Sequence, residues 1–508
     1  MLSSRDRRGF LKRVAAAGAA VGWGDLSLPA GLPPVSAAEL QPLPGAVSLR
    51  PEIEPLVRLL EDTPRNRLLE EVATRVRSGV TYRDWLAALL LAGVRNVQPR
   101  PSVGFKFHAV LAVNSVHLAA TASPETERWL PLFWALDYFK DSQARDVQEG
   151  NWTMRPVDEA AVPPADKARG AFVAAMDNWD EPAADAAVAA LARTAAAKDI
   201  FELFYRYGAR DFRSIGHKAI FVAGAERILQ FIGWQHAEPV LRSLAYALLM
   251  HEDGNPAQRD ADADRPWRQH PALVKQLRDD LRSDKLDAGV TRDLLAVLRR
   301  ESHDAAAAEV VEVLNRGVAV QSVWDAIFCG AGELLLRQPG IVSLHSVTTT
   351  NALHYAYQSS ANPETRHLLL LQSAAFLPMF REAMRGRGQV GEAAVDALEP
   401  SDIKAAEADA AADVLATLSR DRQAAVRKTL AYFAAGGSAE SFLNATRQQM
   451  VLKGDDAHDY KFGAAVLEDF AAVSPAWRGR FLAACMMLLN GSGERDSPLV
   501  ARTRAALG

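Results

Sequence analysis

Apolar residues recur every three to four positions through most of this chain. The runs IEPLVRLLEDTPRNRLLEEVATRVRSG, ADAAVAALARTAAAKDIFELFYRYG, DAGVTRDLLAVLRRESHDAAAAEVVEVLNRG and RDRQAAVRKTLAYFAAGG all keep a helical period, with charge on the opposite face. Gly79, Gly208, Gly317 and Gly436 close these runs in the manner of helix C-caps. Alternation of apolar and polar residues with period two is scarce. The pattern predicts an all-α protein, built as one large multi-helix domain over residues 48–508 with a buried, histidine-rich centre. Three stretches read as loops: 24–48, rich in Pro and Ala; 251–271, charged and turn-rich; and 385–410.

The first residues carry a different signal. SSRDRRGFLKRVAAAGAAVGWG places Arg7 and Arg8 before Gly9, Phe10, Leu11 and Lys12, and a mildly apolar run follows from Val14 to Trp23. Ser36, Ala37 and Ala38 offer small residues to a peptidase. Together these predict a twin-arginine signal peptide over 1–38, a linker over 39–47, and a periplasmic or secreted protein that meets the twin-arginine translocase during export. That route carries folded proteins, which suits a cofactor loaded before export. The apolar run is too short for a stable membrane span.

Composition narrows the rest. The chain has 508 residues, 49% of them hydrophobic, and a net charge of -4, so no basic excess points to nucleic acid. Its two cysteines, Cys329 and Cys485, make neither a disulfide framework nor a CxxC zinc site. Any metal must therefore be held by His, carboxylate or a less usual ligand.

Eleven histidines are present, and seven fall in apolar helical segments. Four share a loose pattern of His, then apolar, then small residues: FHAVLAVNS at His108, GHKAIFVAGA at His217, LHYAYQSSA at His354 and AHDYKFGAAV at His458. His117, His236 and His345 lie close by, whereas His251, His270, His303 and His367 sit in charged or turn-like surroundings and read as surface. A single histidine on an apolar face is ordinarily a hydrogen-bonded core residue. Seven without partners would cost several kcal/mol, at roughly 1–3 kcal/mol for each unsatisfied group. A metal satisfies several at once, and neutral imidazole suits Fe, Zn, Cu and Ni. His108 and His117 are nine residues apart, about half a turn out of phase on an unbroken helix, as are His345 and His354. Only one of each pair can face a common centre, and the repeated pattern favours His108, His217, His354 and His458.

In DDAHDYKFGAAVLEDF, His458 and Lys461 lie three apart, about 60° on a helix, so both reach one centre. Burial beside a cation favours a neutral lysine, which can bind substrate, act as a base or take up carbon dioxide. The reading adopted is an N6-carboxylysine at Lys461 that ligates the metal. The alternative is a lysine that snorkels outward or pairs with Asp456, Asp459 or Glu468.

Four blocks, in order over roughly residues 105–470, resemble the questin oxidase-like family. NSVHLAATASPETERWLPLF is similar to an early His helix and acidic turn of that family, and IGWQHAEPVLRSLAYALL to its Gly, His, Pro and Tyr segment. LHSVTTTNALHYAY resembles its His-x-x-Thr helix, and DDAHDYKFGAAVLEDF its C-terminal Asp-Ala-His-x-x-Lys helix. The resemblance implies an all-helical oxygenase that acts on aromatic polyketides by Baeyer–Villiger oxidation or ring cleavage. It implies a mononuclear non-haem iron (Fe2+) held by His458, Lys461, His117 or His108, His236 or His217, and His345 or His354. Where the family often has His-Pro, this chain has Glu238-Pro239, so His236 or Glu238 would substitute. With export to the periplasm, the reaction class carries over more directly than the substrate.

The expectation is thus an exported non-haem iron oxygenase acting on an aromatic or quinone-like small molecule. Lys461, Glu238 and Arg242 are its candidate catalytic residues, with Glu226 a further polar residue inside an apolar helix. Phe133, Trp134, Tyr138, Trp234 and Tyr355 are candidates for an aromatic pocket. Two other readings stand beside it. One is a dinuclear zinc or nickel hydrolase with a carbamylated lysine. The other is a helical binding protein without enzymatic activity, in which the histidines are hydrogen-bonded core.

Overall fold

The run that starts at Ile53 breaks at Thr63, because the proline that follows it disfavours helical backbone. Helix Glu54–Asp62 ends there, and Arg65–Arg77 begins directly after Pro64. Other long runs divide in the same way. Ser302 accepts from the Ala305 N–H and so caps a second helix, His303–Asn315, after Ala288–Arg300. The computed structural model describes residues 45–100, 103–278, 280–401 and 410–508. The expected signal peptide, 1–38, and linker residues 39–44 lie outside the described residues.

Among the described residues the chain is all-helical, with twenty-three α-helices joined by short turns and 3-10 segments around a single core. Gly79, Gly317 and Gly436 adopt left-handed backbone just past helix ends. Gly208 differs. It lies within the last turn of Ala197–Gly208, where an added Cβ would come within 2.7 Å of Val222 Cγ2, so close packing and not capping explains it. The expected loop at 251–271 contains the start of a helix, Arg265–Val274, with Pro266 in its first turn. No described helix is long and apolar enough to cross a membrane. Cys329 and Cys485 are both buried and free.

Helix Ile341–Ser359 is central. It packs against His217–Ile232, Val320–Arg337, Pro363–Arg385 and Ala457–Ala472, and the last of these also packs on Val113–Thr121. Buried ion pairs tie the surrounding layers. Arg95 holds Glu54 and Glu61, Lys218 holds Asp211, and Arg299 holds Glu333. Two of the candidate catalytic residues belong to such pairs. Arg242 is 1% exposed and grips Asp185 through two bonds of 2.7 and 2.9 Å. Glu238 bridges to Arg193 near the surface, at 2.7 and 2.8 Å.

Candidate metal centre

Four histidines from four helical segments meet in the core. His108 opens the short helix His108–Leu111, His217 opens His217–Ile232, His345 lies one turn into Ile341–Ser359, and His458 sits in the first turn of Ala457–Ala472. One nitrogen of each lies within 4.8 Å of those of the other three. His108, His217 and His345 are buried, and the His458 side chain keeps 22% exposure.

Each buried ring is held by backbone. The Nδ1 of His108 bonds the Phe105 carbonyl at 2.7 Å, that of His217 the Ser214 carbonyl at 2.6 Å, and that of His345 the Ile341 carbonyl at 2.6 Å. A carbonyl only accepts, so each Nδ1 carries the proton and each Nε2 presents a lone pair. Those lone pairs face one another. His217 Nε2 lies 3.2 Å from His108 Nε2 and 2.8 Å from His345 Nε2. With no proton left between them, the contacts are repulsive unless a cation lies in their midst. Nitrogens bound at about 2.0–2.1 Å to one ion are about 2.9 Å apart at a right angle and about 3.4 Å apart at the tetrahedral angle. The spacing here is that of neighbouring ligands on a single ion.

His458 supplies the fourth nitrogen. Its Nδ1 makes a short hydrogen bond to Asp456 Oδ1, and its buried Nε2 has no hydrogen-bond partner among the described residues. Asp456 also caps the helix, in a capping box with Asp459, which fixes the first turn that carries His458. This set fits a metal on the chemistry of its donors: four imidazole nitrogens converge, one of them a buried orphan.

The turns before His108 and His217 are built for this arrangement. Phe105, Ser214 and Ile215 have φ of 49°, 56° and 47°, left-handed backbone that costs a non-glycine residue of order 1–3 kcal/mol. Phe105 and Ser214 are the residues whose carbonyls orient the imidazoles. Gly104 leaves room beside the rings, since a Cβ there would sit 3.0 Å from His217 Cε1.

Lys461 is 2% exposed, and its Nζ lies 3.4 Å from His345 Nε2. Among the described residues no carboxylate bonds it. Asp456 is taken by His458, Asp459 caps the helix and Glu468 pairs with Arg227. Burial pushes the Lys461 ammonium down to about 7, against the opposing charge of Asp456. Burial, and then the nearby Lys461 charge, hold His108, His217 and His345 well below the usual imidazole range, so they are neutral and able to ligate.

The remaining candidates lie elsewhere. His354 is on the same unbroken helix as His345, half a turn round, packed against Trp324 and Phe328. The helix carrying His108 breaks at Ala112, and His117 lies beside Phe231 and stacked on Tyr82. His236 is buried in a separate turn, Trp234–His236, where the charges of Arg50 and Glu52 reach it. Glu238 and Arg242 are in the ion pairs described above, and Glu226 bonds the Tyr205 hydroxyl. Of the aromatic candidates, Trp134 packs on Tyr138 and Tyr460, Phe133 on Trp129, Trp234 on Phe201, and Tyr355 under Arg227. Asp456, weighed from sequence only as a partner of Lys461, pairs with His458 instead, and the carbonyls of Phe105 and Ser214 are not expected from sequence, although Gly104 and Gly216 mark the turns that position them.

No protein-family model, no curated protein and no solved structure matches this chain.

Proposed function

We propose that the chain is a metalloenzyme with one mononuclear centre, held by His108, His217, His345 and His458. The observation that carries this reading is the convergence of unprotonated Nε2 lone pairs at 2.8 and 3.2 Å. The two spacings lie close to the values for right-angle and tetrahedral ligands on one ion, and the choice of iron rests on the family resemblance of the His458–Lys461 helix. A bound Fe2+ would supply redox chemistry with dioxygen. The resemblance of the His458–Lys461 helix to questin oxidase-like proteins supports the same class, an oxygenase acting on a small molecule. The two arginines near the N-terminus support export to the periplasm or beyond.

The protein's own part is threefold. Backbone carbonyls fix the imidazole tautomers, Asp456 orients His458, and the buried core excludes water from three of the four rings. Lys461 is the candidate fifth group. Its amine lies beside His345 Nε2, and among the described residues no carboxylate bonds it. Addition of carbon dioxide to the amine forms a carbamate and releases one proton, giving an anionic oxygen donor in the same place.

A dinuclear hydrolase is the weaker reading. Two ions about 3.5–4 Å apart need bridging and flanking donors, and the four-histidine cluster includes no carboxylate. The test is the chain loaded anaerobically with Fe2+ and exposed to nitric oxide. One iron per chain with an S = 3/2 electron paramagnetic resonance signal is expected. Two iron ions per chain, or no bound iron and no such signal, would overturn the reading.

A further inference from the structure

Above Lys461 the helices Val113–Thr121, His217–Ile232, Ile341–Ser359 and Ala457–Ala472 enclose a narrow cavity with that lysine in its wall. Its polar lining is Asn114, Ser115, Arg227, Thr348, Asn351 and Lys461, and among the described residues no Asp or Glu lines it. The space open to water centres is about 30 Å³, room for about two waters or one group the size of a carboxylate. A second cavity of about 170 Å³ adjoins it, lined by Leu118, Ala119, Ala122, Met450, Ala464 and Leu467 together with the charged Arg447 and Glu468. Leu118 and Ala464 line both.

Three features select the occupant. The first is charge. The inner wall carries the Arg227 guanidinium, the Lys461 amine, carboxamides and hydroxyls, and the carboxylate of the outer cavity, Glu468, is already engaged by Arg227 and Asn351. The second is the state of Arg227. It is held 4.0 Å over the Tyr355 ring, and both its 2.9 Å contacts to Glu468 use Nη2. Its other guanidinium N–H groups remain to bind an acceptor. The third is Asn114, whose buried Oδ1 has no hydrogen-bond partner among the described residues. This carboxamide can meet a ligand with either end.

We propose that the two cavities form one channel to the metal site, and that it takes an amphipathic organic anion. A compact oxyanion head lies at Arg227 and Asn114, and an apolar body lies along Leu118, Met450 and Leu467. Ala464 sets the width of the neck. This deepens the metalloenzyme reading and rests on it for the position of the reacting end.

The test is calorimetric titration of the full chain, metal-loaded and metal-free, with hexanoate and with hexan-1-ol. Hexanoate binds both forms, at least about tenfold more tightly than the alcohol, a factor worth about 1.4 kcal/mol. Arg227→Gln weakens hexanoate about tenfold and leaves the alcohol unchanged. Ala464→Phe blocks both. Asn114→Asp, nearly isosteric, puts a carboxylate on the inner wall and weakens hexanoate, so the idea remains testable if one variant fails to fold. Equal affinity for acid and alcohol, or hexanoate binding untouched by these substitutions, would overturn the channel. Metal content is measured in the same samples. Bound metal without hexanoate binding removes the channel alone, whereas hexanoate binding to a chain that takes up no metal removes the metalloenzyme reading and leaves the channel.

Discussion

Replacing His217 by leucine separates a metal centre from a hydrogen-bonded histidine core. His217 is the middle ring of the cluster, since its Nε2 makes both close contacts, to His108 and His345. In the metal-free protein three buried Nε2 atoms face one another without protons; the Lys461 amine can donate to that of His345, and the other two are unsatisfied, at about 1–3 kcal/mol each. Metal binding therefore relieves roughly 2–6 kcal/mol in the wild type. For a domain of roughly 460 residues the unfolding entropy is about 1 kcal/mol per kelvin. The wild type should thus gain about 2–6 °C in Tm from this relief when metal is restored. Leucine has a volume close to that of histidine. It removes both lone-pair contacts but orphans the Ser214 carbonyl, which costs about 1–3 kcal/mol. Metal-free His217→Leu should then lie within about 2 kcal/mol of metal-free wild type, and added metal should barely move it. Differential scanning calorimetry on the four samples reads this directly. If wild type is indifferent to metal, and leucine destabilises both forms equally by several kcal/mol, the imidazoles are ordinary core.

Three further outcomes follow from the geometry. Asp456→Asn removes the carboxylate that orients His458 and should weaken metal binding about 10–100-fold, while Lys461→Met should keep the fold and lower turnover or metal retention, both read by metal analysis beside circular dichroism. Arg242→Ala leaves Asp185 buried without its partner and should destabilise by about 3–5 kcal/mol, whereas Glu238→Gln at its surface bridge should change stability by less than about 1 kcal/mol; neither should alter metal content. His270 is 1% exposed, and burial pushes it down to about 3. The unfolded chain takes up that proton below about pH 6.5 and the native chain does not, so stability is full above pH 6.5 and falls by roughly 1 kcal/mol per pH unit below it. In urea unfolding of metal-free protein, His270→Phe should show the shallower slope between pH 6.5 and 4.5.

How far the sequence reveals this molecule depends on which forces act locally. Helical periodicity is a local property, so the all-α class and many helix breaks can be read from apolar spacing, Pro64 and Ser302. The phase argument for paired histidines is local as well. His345 and His354 do face opposite sides of one helix. Which side meets the cluster is not local. Both faces are apolar, and the choice depends on Trp324 and Phe328 packing against one and His217 meeting the other. The repeated run of His, apolar and small residues favours His354, and the geometry brings His345 into the cluster instead. His270 misled in the opposite direction. Its neighbours Arg268 and Asp264 make it read as surface, yet the ring turns inward while Arg268 reaches Asp260. The orienting carbonyls of Phe105 and Ser214 are backbone groups, and no side-chain pattern announces them. Only the nearby glycines hint at the left-handed turns.

The most direct measurement is anomalous diffraction at the absorption edge of whichever metal co-purifies, with stoichiometry from elemental analysis. A single peak about 2 Å from the Nε2 atoms of His108, His217 and His345, at one ion per chain, is the expected result. A metal-free chain that folds and keeps its stability, or a peak away from these three nitrogens, would contradict a histidine-held metal centre.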